Sequence, residues 1–357
     1  MTKASILGLL LLVCNALWGQ LYTANIKSFG TDHGLSHHDG RSVAVDSRGL
    51  IWVGTRYGLN RFDGKQFKSF FVEDGLASNN VESVFTDGEV LLCVHKSRTT
   101  EIIEAITLFH SVTEETIDFV DWFGIKDIKE TDIDLVYGND NELVFKTSAD
   151  EKARWFLKRE GQETVEFKMS DPYEFLASSQ DGTYWFHEWE NKTVTHRELS
   201  GKLINTFSTR HLSNFWGKFY VDMRFGEDEK WIYAYDSLYL ITGNEVKLAN
   251  SLWGVSKHQN KLVQLPSEYV RKHPHTGLLW YSASSISHLI DSSGKKYFSH
   301  SNPSQFVNNT DVFIDNVVLQ PASTGLNIIS LYPSKFQNFN EEARSGYRGI
   351  GQIKGDY

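Results

Sequence analysis

The chain has 357 residues, of which 40% are hydrophobic and 13% aromatic, and its formal net charge is -9. This composition is typical of a globular protein with a sizeable core and excludes a disordered chain. The acidic balance disfavours nucleic acid and anionic membrane surfaces as partners, because both repel a negatively charged protein. The length permits one large all-β domain or two ordinary domains, so internal repeats must decide between them.

The N-terminal segment has the order of features found in a secretory signal peptide. Lys3 precedes an apolar run from Ala4 to Ala16, and Gly19 and Gln20 follow. The run is too short for an ordinary membrane span. We therefore expect residues 1–19 to be a signal peptide that directs export to the periplasm or out of the cell. An uncleaved anchor and a buried N-terminal strand are the alternatives.

The two cysteines of the sequence do not predict a disulfide. Cys14 lies inside the signal segment, so only Cys93 is left in the exported chain. A single cysteine cannot form an intrachain bridge. No later stretch approaches the roughly twenty apolar residues that a membrane helix needs, so we expect no membrane insertion.

A repeat with a period of about 41 residues marks the N-terminal region, and this period is typical of the four-stranded blades of β-propellers. The segment Ile26–Phe29 recurs as Phe67–Phe70, and a Gly-Leu pair follows each copy. At the same offset, Trp52 is matched with Cys93.

Strands alternate with tight turns in the best-preserved copy. Gly49 suits a turn position that needs positive φ, and Asp63-Gly64 is a strong hairpin signal. No helical pattern of useful length interrupts the short alternating runs. The four predicted strands are Ser42–Val45, Leu50–Thr55, Leu59–Phe62 and Gln66–Phe71.

Later copies keep mainly an aromatic residue in the predicted second strand. We count about seven blades and predict an all-β fold, a β-propeller of four-stranded blades over residues 20–339. The recurrent Trp and Phe are interpreted as packing residues between blades, because buried aromatics dominate such cores. The later signals are Leu143–Phe145, Trp185, Trp231, Trp280, a first strand at Asp311–Asp315, and Phe336 with Phe339 in the positions of Phe67 and Phe70.

The C-terminal residues 340–357 are expected to begin a further blade or to form a disordered tail. Tyr347–Ile353 reads like the first strand of another repeat. We therefore expect the chain to be a fragment or a truncated relative of a longer protein. If Phe336–Phe339 supplies the outer strand of the last blade, the partner of Ile26–Phe29 stays open.

The stretches Asp46–Thr55 and Gly58–Gly64 together resemble the two-component regulator propeller repeat of bacterial sensor proteins. The resemblance is clear over Ile26–Val94 and weaker over Thr310–Phe339. It implies the periplasmic sensor region of a hybrid histidine kinase or a related transmembrane regulator. Such sensors often respond to polysaccharide breakdown products.

Motifs for catalysis are missing from the sequence. It contains no nucleophile elbow, P-loop, HExxH motif or paired CxxC motif, which favours a binding protein over an enzyme and predicts no cofactor. The residues His33, His37, His38 and Asp39 are of types that bind transition metals. Their spacing fits no standard site, so we interpret them as a solvated turn and predict no metal.

Binding residues are sought in the loops between blades and between second and third strands, because these loops converge on one face of a propeller. Arg can pair with a carboxylate, Tyr can stack on a sugar ring, and Asn can donate and accept hydrogen bonds. This mixture suits an acidic or neutral oligosaccharide, although each residue could instead cap a turn or pack locally. The candidates are His37, His38, Asp39, Arg56, Tyr57, Asn79 and Asn80.

Two functions follow from this reasoning. The preferred one is a non-catalytic periplasmic sensor that binds an oligosaccharide or a partner protein, in a form compatible with a homodimer. The alternative is a secreted propeller enzyme, a polysaccharide lyase or glycoside hydrolase, since the fold permits either. A degenerate propeller without a ligand is a third reading.

Overall fold

The computed structural model describes fifteen ranges of the chain. They are residues 22–97, 102–139, 142–147, 154–167, 173–178, 182–188, 190–208, 230–234, 237–242, 245–251, 269–272, 276–283, 286–290, 296–301 and 311–333. The predicted signal peptide, Phe336–Phe339 and the tail 340–357 lie outside these ranges.

The described strands form seven antiparallel sheets, which we call blades 1 to 7. Blade 1 contains β2 (Gly40–Val45), β3 (Ile51–Thr55), β4 (Gly58–Phe62) and β5 (Phe67–Phe70). Blade 2 contains β6 (Ser83–Asp87), β7 (Val90–Lys96), β8 (Ile103–His110) and β9 (Thr116–Ile117). Blade 3 contains β10 (Ile133–Asn139), β11 (Glu142–Thr147), β12 (Arg154–Arg159) and β13 (Val165–Phe167).

The remaining blades follow in chain order. Blade 4 contains β14 (Tyr173–Ser178), β15 (Tyr184–Glu188), β16 (Thr193–Arg197) and β17 (Leu203–Ser208). Blade 5 contains β18 (Lys230–Ala234), β19 (Ser237–Thr242) and β20 (Glu245–Ser251). Blade 6 contains β21 (Tyr269–Lys272), β22 (Leu279–Ala283), β23 (Ile286–Ile290) and β24 (Lys296–Ser301). Blade 7 contains β25 (Val312–Ile314), β26 (Val317–Ala322), β27 (Gly325–Pro333) and β1 (Tyr22–Phe29).

This arrangement agrees with the predicted number of blades and with their strand positions. The ends of each predicted strand of blade 1 lie within two residues of the observed ends, and Leu143–Phe145 lies in the second strand of blade 3. Six blades have four strands, whereas blade 5 has three among the residues that the structure describes.

A single turn of α-helix, α1 (Phe119–Phe123), connects blade 2 to blade 3. Asp118 caps it by accepting a hydrogen bond from the Asp121 amide at 2.9 Å, and Gly124 ends it in the left-handed conformation. Phe119 and Phe123 are buried between the two blades. The described residues also form three 3-10 segments, at Thr31–His33, Val72–Asp74 and Glu130–Asp132.

Apolar clusters join each blade to the next over much of the chain. Such clusters lie between blades 6 and 7, 7 and 1, 1 and 2, 2 and 3, and 3 and 4. Trp52, Trp185 and Trp280 are each at most 1% exposed, which confirms the prediction that these tryptophans pack in the core. The Trp52 ring contacts Phe109 of blade 2, with ring centroids 6.0 Å apart.

The structure corrects the match between Trp52 and Cys93. In the strand pairing of blade 2, Cys93 takes the position of Val53, and Leu92 takes the position of Trp52. The connection between the paired residues Thr86 and Leu91 is one residue shorter than the connection between the equivalent pair Val45 and Ile51, so a constant sequence offset fails after it. Trp52 and Leu92 accordingly both pack toward the following blade.

The N-terminal strand β1 completes blade 7. It pairs with β27 over its whole length, with Phe29 opposite Leu326, just as Phe70 lies opposite Leu59 in blade 1. β1 therefore holds the outer position that the sequence had assigned to Phe336–Phe339. This pairing joins the first and last described strands and covers a sheet edge that would otherwise be exposed.

Candidate functional site

All seven predicted binding residues lie on one face, which we call the loop face. It carries the connections between blades and the connections between second and third strands. His37, His38 and Asp39 precede β2, the pair Arg56-Tyr57 joins β3 to β4, and Asn79-Asn80 precedes β6.

A pocket of about 590 Å³ opens on the loop face between blades 1 and 2, and we call it the loop-face pocket. Three of the predicted residues line it, namely Tyr57, Asn79 and Asn80. The complete lining is Tyr57, Val72, Ala77, Ser78, Asn79, Asn80, Lys96, Ser97 and Glu104.

Tyr57 presents an aromatic surface at this pocket. It is 50% exposed, and its ring leans on Phe71 with centroids 5.6 Å apart. Its backbone amide donates to the Thr55 hydroxyl at 3.1 Å, which holds the loop. A half-exposed aromatic ring on a held loop is suited to stacking against a ligand.

Asn79 joins the pocket loops of blade 1. Its side-chain oxygen Oδ1 accepts a hydrogen bond from the Val72 amide at 2.9 Å, and its carbonyl accepts one from the Gly58 amide at 2.6 Å. Asn79 thus fixes the segment before β6 against the connection between β3 and β4. Asn79 therefore stabilises the local loop structure, which the sequence analysis had given as the alternative to ligand binding.

Asn80 lines the pocket and is only 7% exposed. Its side-chain Nδ2 donates to the Lys96 carbonyl at 2.8 Å, and its own carbonyl contacts Nδ1 of His95 at 3.0 Å. Asn80 therefore ties the pocket loop to β7 twice.

His95 was missed by the sequence reasoning. Its ring is fully buried, and Nε2 lies 2.8 Å from the Thr107 hydroxyl, which accepts a hydrogen bond from the Ala77 amide at 2.9 Å. A carbonyl only accepts, so the neutral ring carries its proton on Nδ1, toward Asn80. Burial lowers the pKa of His95. The sequence does hold one signal for this residue, because His95 is a polar residue that directly follows the apolar run Leu91–Val94.

Asp39 and Arg56 form an ion pair beside the pocket. Arg56 Nε donates to Asp39 Oδ2 at 2.5 Å. Arg41, also missed from the sequence, lies with its Nε 3.9 Å from the same oxygen and 3.2 Å from Glu82 Oε2. Arg56 is therefore engaged with a carboxylate of its own chain, and this charged cluster links blade 1 to the start of β6.

His37 and His38 lie toward blade 7 and do not line the pocket. Their rings stack with centroids 4.4 Å apart, His38 Nδ1 lies 2.9 Å from the Ser323 carbonyl, and His37 Nδ1 accepts from the Asp39 amide at 3.0 Å. His33 instead contacts Asp32 at 2.8 Å. Within the described ranges, no group of three metal-binding side chains is placed to hold an ion.

A smaller cavity of about 190 Å³ lies among blades 1, 2 and 3, where the turns between first and second strands meet. Burial raises the pKa of Asp87 in its wall, and Trp122 Nε1 donates to Asp87 Oδ2 at 3.0 Å. Glu142, Lys158 and Glu160 also line it. The sequence reasoning did not single out this cavity.

Comparisons with known proteins identify the architecture of this chain. No family model matches the chain, and no curated protein matches it. Among solved structures, the WD40 β-propeller domain of Doa1 has a TM-score of 0.58 at 15% identity, covering 88% of this chain and 98% of that one. The fold is a β-propeller.

Two other neighbours of this propeller differ in function. The extracellular domain of BT3049 from B. thetaiotaomicron, described as a hybrid two-component system, has a TM-score of 0.56 at 16% identity and is matched over 86% of this chain and 42% of that one. Streptogramin B lyase has a TM-score of 0.58 at 12% identity, over 87% of this chain and 98% of the lyase. This chain thus spans about two fifths of the BT3049 domain. At these identities the likeness shows the fold alone.

Within the described ranges, none of the helices is both long enough and apolar enough to cross a bilayer.

Proposed function

We propose that this propeller is a non-catalytic, exported ligand sensor that binds an oligosaccharide in the loop-face pocket. The observation that carries the proposal is the half-exposed ring of Tyr57, set beside amide and hydroxyl side chains in a pocket between two blades. Polar side chains gathered beside one aromatic surface can bind both the hydroxyls and an apolar face of a sugar.

The chemistry of the pocket favours a neutral sugar. The hydroxyls of Ser78 and Ser97 can exchange hydrogen bonds with sugar hydroxyls, and the ring of Tyr57 can cover an apolar sugar face. Lys96 and Glu104 are opposite in sign, and Arg56 is paired with Asp39. The site therefore has no surplus positive charge to select an acidic ligand.

The role as the input region of a two-component sensor is supported by the extracellular domain of BT3049 among the neighbours and by the resemblance of the repeat. A pocket between blades 1 and 2 suits a sensor, because a ligand that contacts both blades favours one arrangement of the two. Only such differential affinity for two states can transmit a signal.

The test is a thermal-shift screen of the chain without residues 1–19 against neutral and acidic oligosaccharides. A ligand that binds only the folded state raises the melting temperature. We expect Tyr57→Ala to weaken binding of the identified sugar by about fivefold to a hundredfold, since stacking on an aromatic ring contributes about 1–3 kcal/mol. Tyr332→Ala is the matched control, because Tyr332 is 53% exposed and lies outside the pocket.

Equal affinity of the Tyr57→Ala and wild-type proteins for the sugar would show that the loop-face pocket is not the binding site. A cooperative unfolding transition that no oligosaccharide shifts would overturn the carbohydrate proposal and direct the search to a partner protein.

An enzymatic alternative is favoured by the streptogramin B lyase among the neighbours and by the half-buried Asp87 in the smaller cavity. A carboxyl group with a raised pKa is suited to general acid-base chemistry. An enzyme should release new chain ends from a polysaccharide and lose that activity in Asp87→Asn. Binding without product formation would support the sensor instead.

A further inference from the structure

One buried imidazole contacts the partners at both ends of a wall of the loop-face pocket. The segment Leu76–Asn80 supplies four of the lining residues. Its start is held by the Ala77 amide, which donates to the Thr107 hydroxyl, and its end by the Asn80 carbonyl. His95 contacts both partners, through Nε2 and Nδ1.

A neutral ring satisfies all of these partners at once. Nδ1–H donates to the Asn80 carbonyl, so Nε2 must accept the Thr107 hydroxyl proton while the Thr107 oxygen accepts from Ala77. A second ring proton on Nε2 leaves the Thr107 hydroxyl proton without an acceptor among the described residues and places a charge in a fully buried site. A buried charge without a carboxylate partner is strongly unfavourable.

We propose that His95 is the positioning residue of the loop-face pocket and that protonation of its ring releases the segment Leu76–Asn80, so that acid opens the pocket wall. The inference takes this pocket to be the binding site of the proposed function, but its test needs no ligand.

Burial and the hydrogen bond with the Asn80 carbonyl are the causes of the pKa shift of His95, and no charged group is among them. The elements next to His95 carry the charged residues Lys96 on the same strand, Glu104 on β8, Glu82 ahead of β6 and Asp74 in the 3-10 segment of blade 1. Glu82 is ion-paired with Arg41, and the Asp74 carboxylate accepts from the Phe71 amide at 2.8 Å. The ring nitrogens contact only the Asn80 carbonyl and the Thr107 hydroxyl among the residues that the structure describes.

The pH window follows from burial. Desolvation lowers the pKa of His95 below its ordinary value of 6.5 in the closed protein, while release of the segment returns it toward that value. Between the two values the open form binds one more proton. The opening equilibrium constant therefore rises about tenfold for each unit that the pH falls.

Blade 1 provides an internal control for this device. In the equivalent loop of blade 1, the Ser36 amide donates to Asn60 Oδ1 at 3.0 Å, which corresponds to the bond from the Ala77 amide to Thr107 in blade 2. The strand position that His95 holds in blade 2 is held by Thr55 in blade 1. Neither Thr55 nor Asn60 titrates, so this anchor does not respond to acid.

The experiment is hydrogen-deuterium exchange of residues 72–82 at about pH 7.5 and about pH 5, corrected for the intrinsic pH dependence of exchange. In the wild type we expect the protection of this segment to fall by more than that of residues 31–41. In His95→Gln, which cannot be protonated, the extra loss of protection should disappear. His110→Gln, a partly exposed histidine of the same blade, should keep the wild-type response.

Two results would overturn the inference: an acid response that His95→Gln retains, or full protection of residues 72–82 at the lower pH in the wild type. If His95→Gln fails to fold, Thr107→Val replaces it and should expose the Ala77 amide already at neutral pH. A failed oligosaccharide screen with a normal acid response would overturn only the proposed function.

Discussion

Asp46 shows at the residue scale how a turn motif becomes part of the core. Its carboxylate accepts from the Trp52 ring at 3.0 Å and from the amides of Arg48 and Leu50, both at 3.0 Å, and it pairs with the Arg48 guanidinium at 2.9 Å. Burial alone raises the pKa of Asp46, but these hydrogen bonds together outweigh it and lower the pKa. The carboxylate thus satisfies the turn and the buried indole simultaneously.

Replacing Asp46 with Asn should lower the free energy of unfolding by about 1–3 kcal/mol at neutral pH, because an amide cannot accept all of these bonds. Urea denaturation measures the loss. Asp63→Asn is the control, since Asp63 also accepts from two turn amides but is exposed to solvent. An equal loss in both variants would contradict a special role for the buried indole contact.

Gly325 is a second residue whose identity is dictated by its surroundings. Its φ is 127°, and an added Cβ would lie 3.0 Å from Gly30 Cα and closer still to the Phe29 carbonyl oxygen. We expect Gly325→Ala to destabilise the protein clearly more than Gly49→Ala, a position with φ of 80° and open space around the added carbon. Both losses are read as shifts in the melting temperature. Equal shifts would show that backbone conformation alone, and not the close approach of β1, sets the cost.

At the scale of elements, β1 decides how the last blade is finished. Ser28 Oγ donates to Asn327 Oδ1 at 2.8 Å in blade 7, just as Ser69 Oγ donates to Asn60 Oδ1 at 2.7 Å in blade 1. The sequence repeat between Ile26–Phe29 and Phe67–Phe70 therefore has a structural counterpart, because both segments are outer strands of a blade.

Deleting residues 22–29 should remove the outer strand of blade 7 and lower the urea midpoint and the cooperativity of unfolding, because the edge of β27 loses its partner. Ser28→Ala removes one hydrogen bond from the same strand and should cost only about 1 kcal/mol. An unchanged midpoint in the deletion would contradict a closing role for β1.

At the scale of the whole molecule, buried histidines make the fold sensitive to acid. His187 in blade 4 and His288 in blade 6 are almost completely buried, and desolvation lowers the pKa of each to about 4. The unfolded chain binds protons on these rings near the ordinary value of 6.5. The contribution of the two neutral rings to the free energy of unfolding is fully present above pH 6.5 and is lost as the pH falls from 6.5 toward 4.

We therefore expect the free energy of unfolding to decrease steeply over this range, by at most about 1.4 kcal/mol per pH unit for each such histidine. Urea denaturation at a series of pH values measures the slope. His288→Gln should reduce the slope by the contribution of one proton. A stability that stays constant between pH 6.5 and 4.5 would contradict burial of these rings in their neutral form.

Much of the architecture was accessible from the sequence because it is encoded locally. The alternation of residues, the turn glycines and the repeat period predicted the four strands of blade 1 and the number of blades. The loops of the candidate site were predicted on the same basis, so Tyr57, Asn79 and Asn80 lie on the expected face and line a pocket. The shorter connection between β6 and β7 made the match of Trp52 with Cys93 wrong by one residue.

The contacts between distant segments were decided by the tertiary structure. Ser28 and Asn327 are 299 residues apart in the chain, so no local pattern shows that β1 completes blade 7. The pairing of Arg56 with Asp39 and the burial of His95 beneath the pocket wall likewise depend on how neighbouring loops and blades meet. Local sequence determines which strands form, whereas the partners of their polar side chains are set only when the blades pack together and water is excluded.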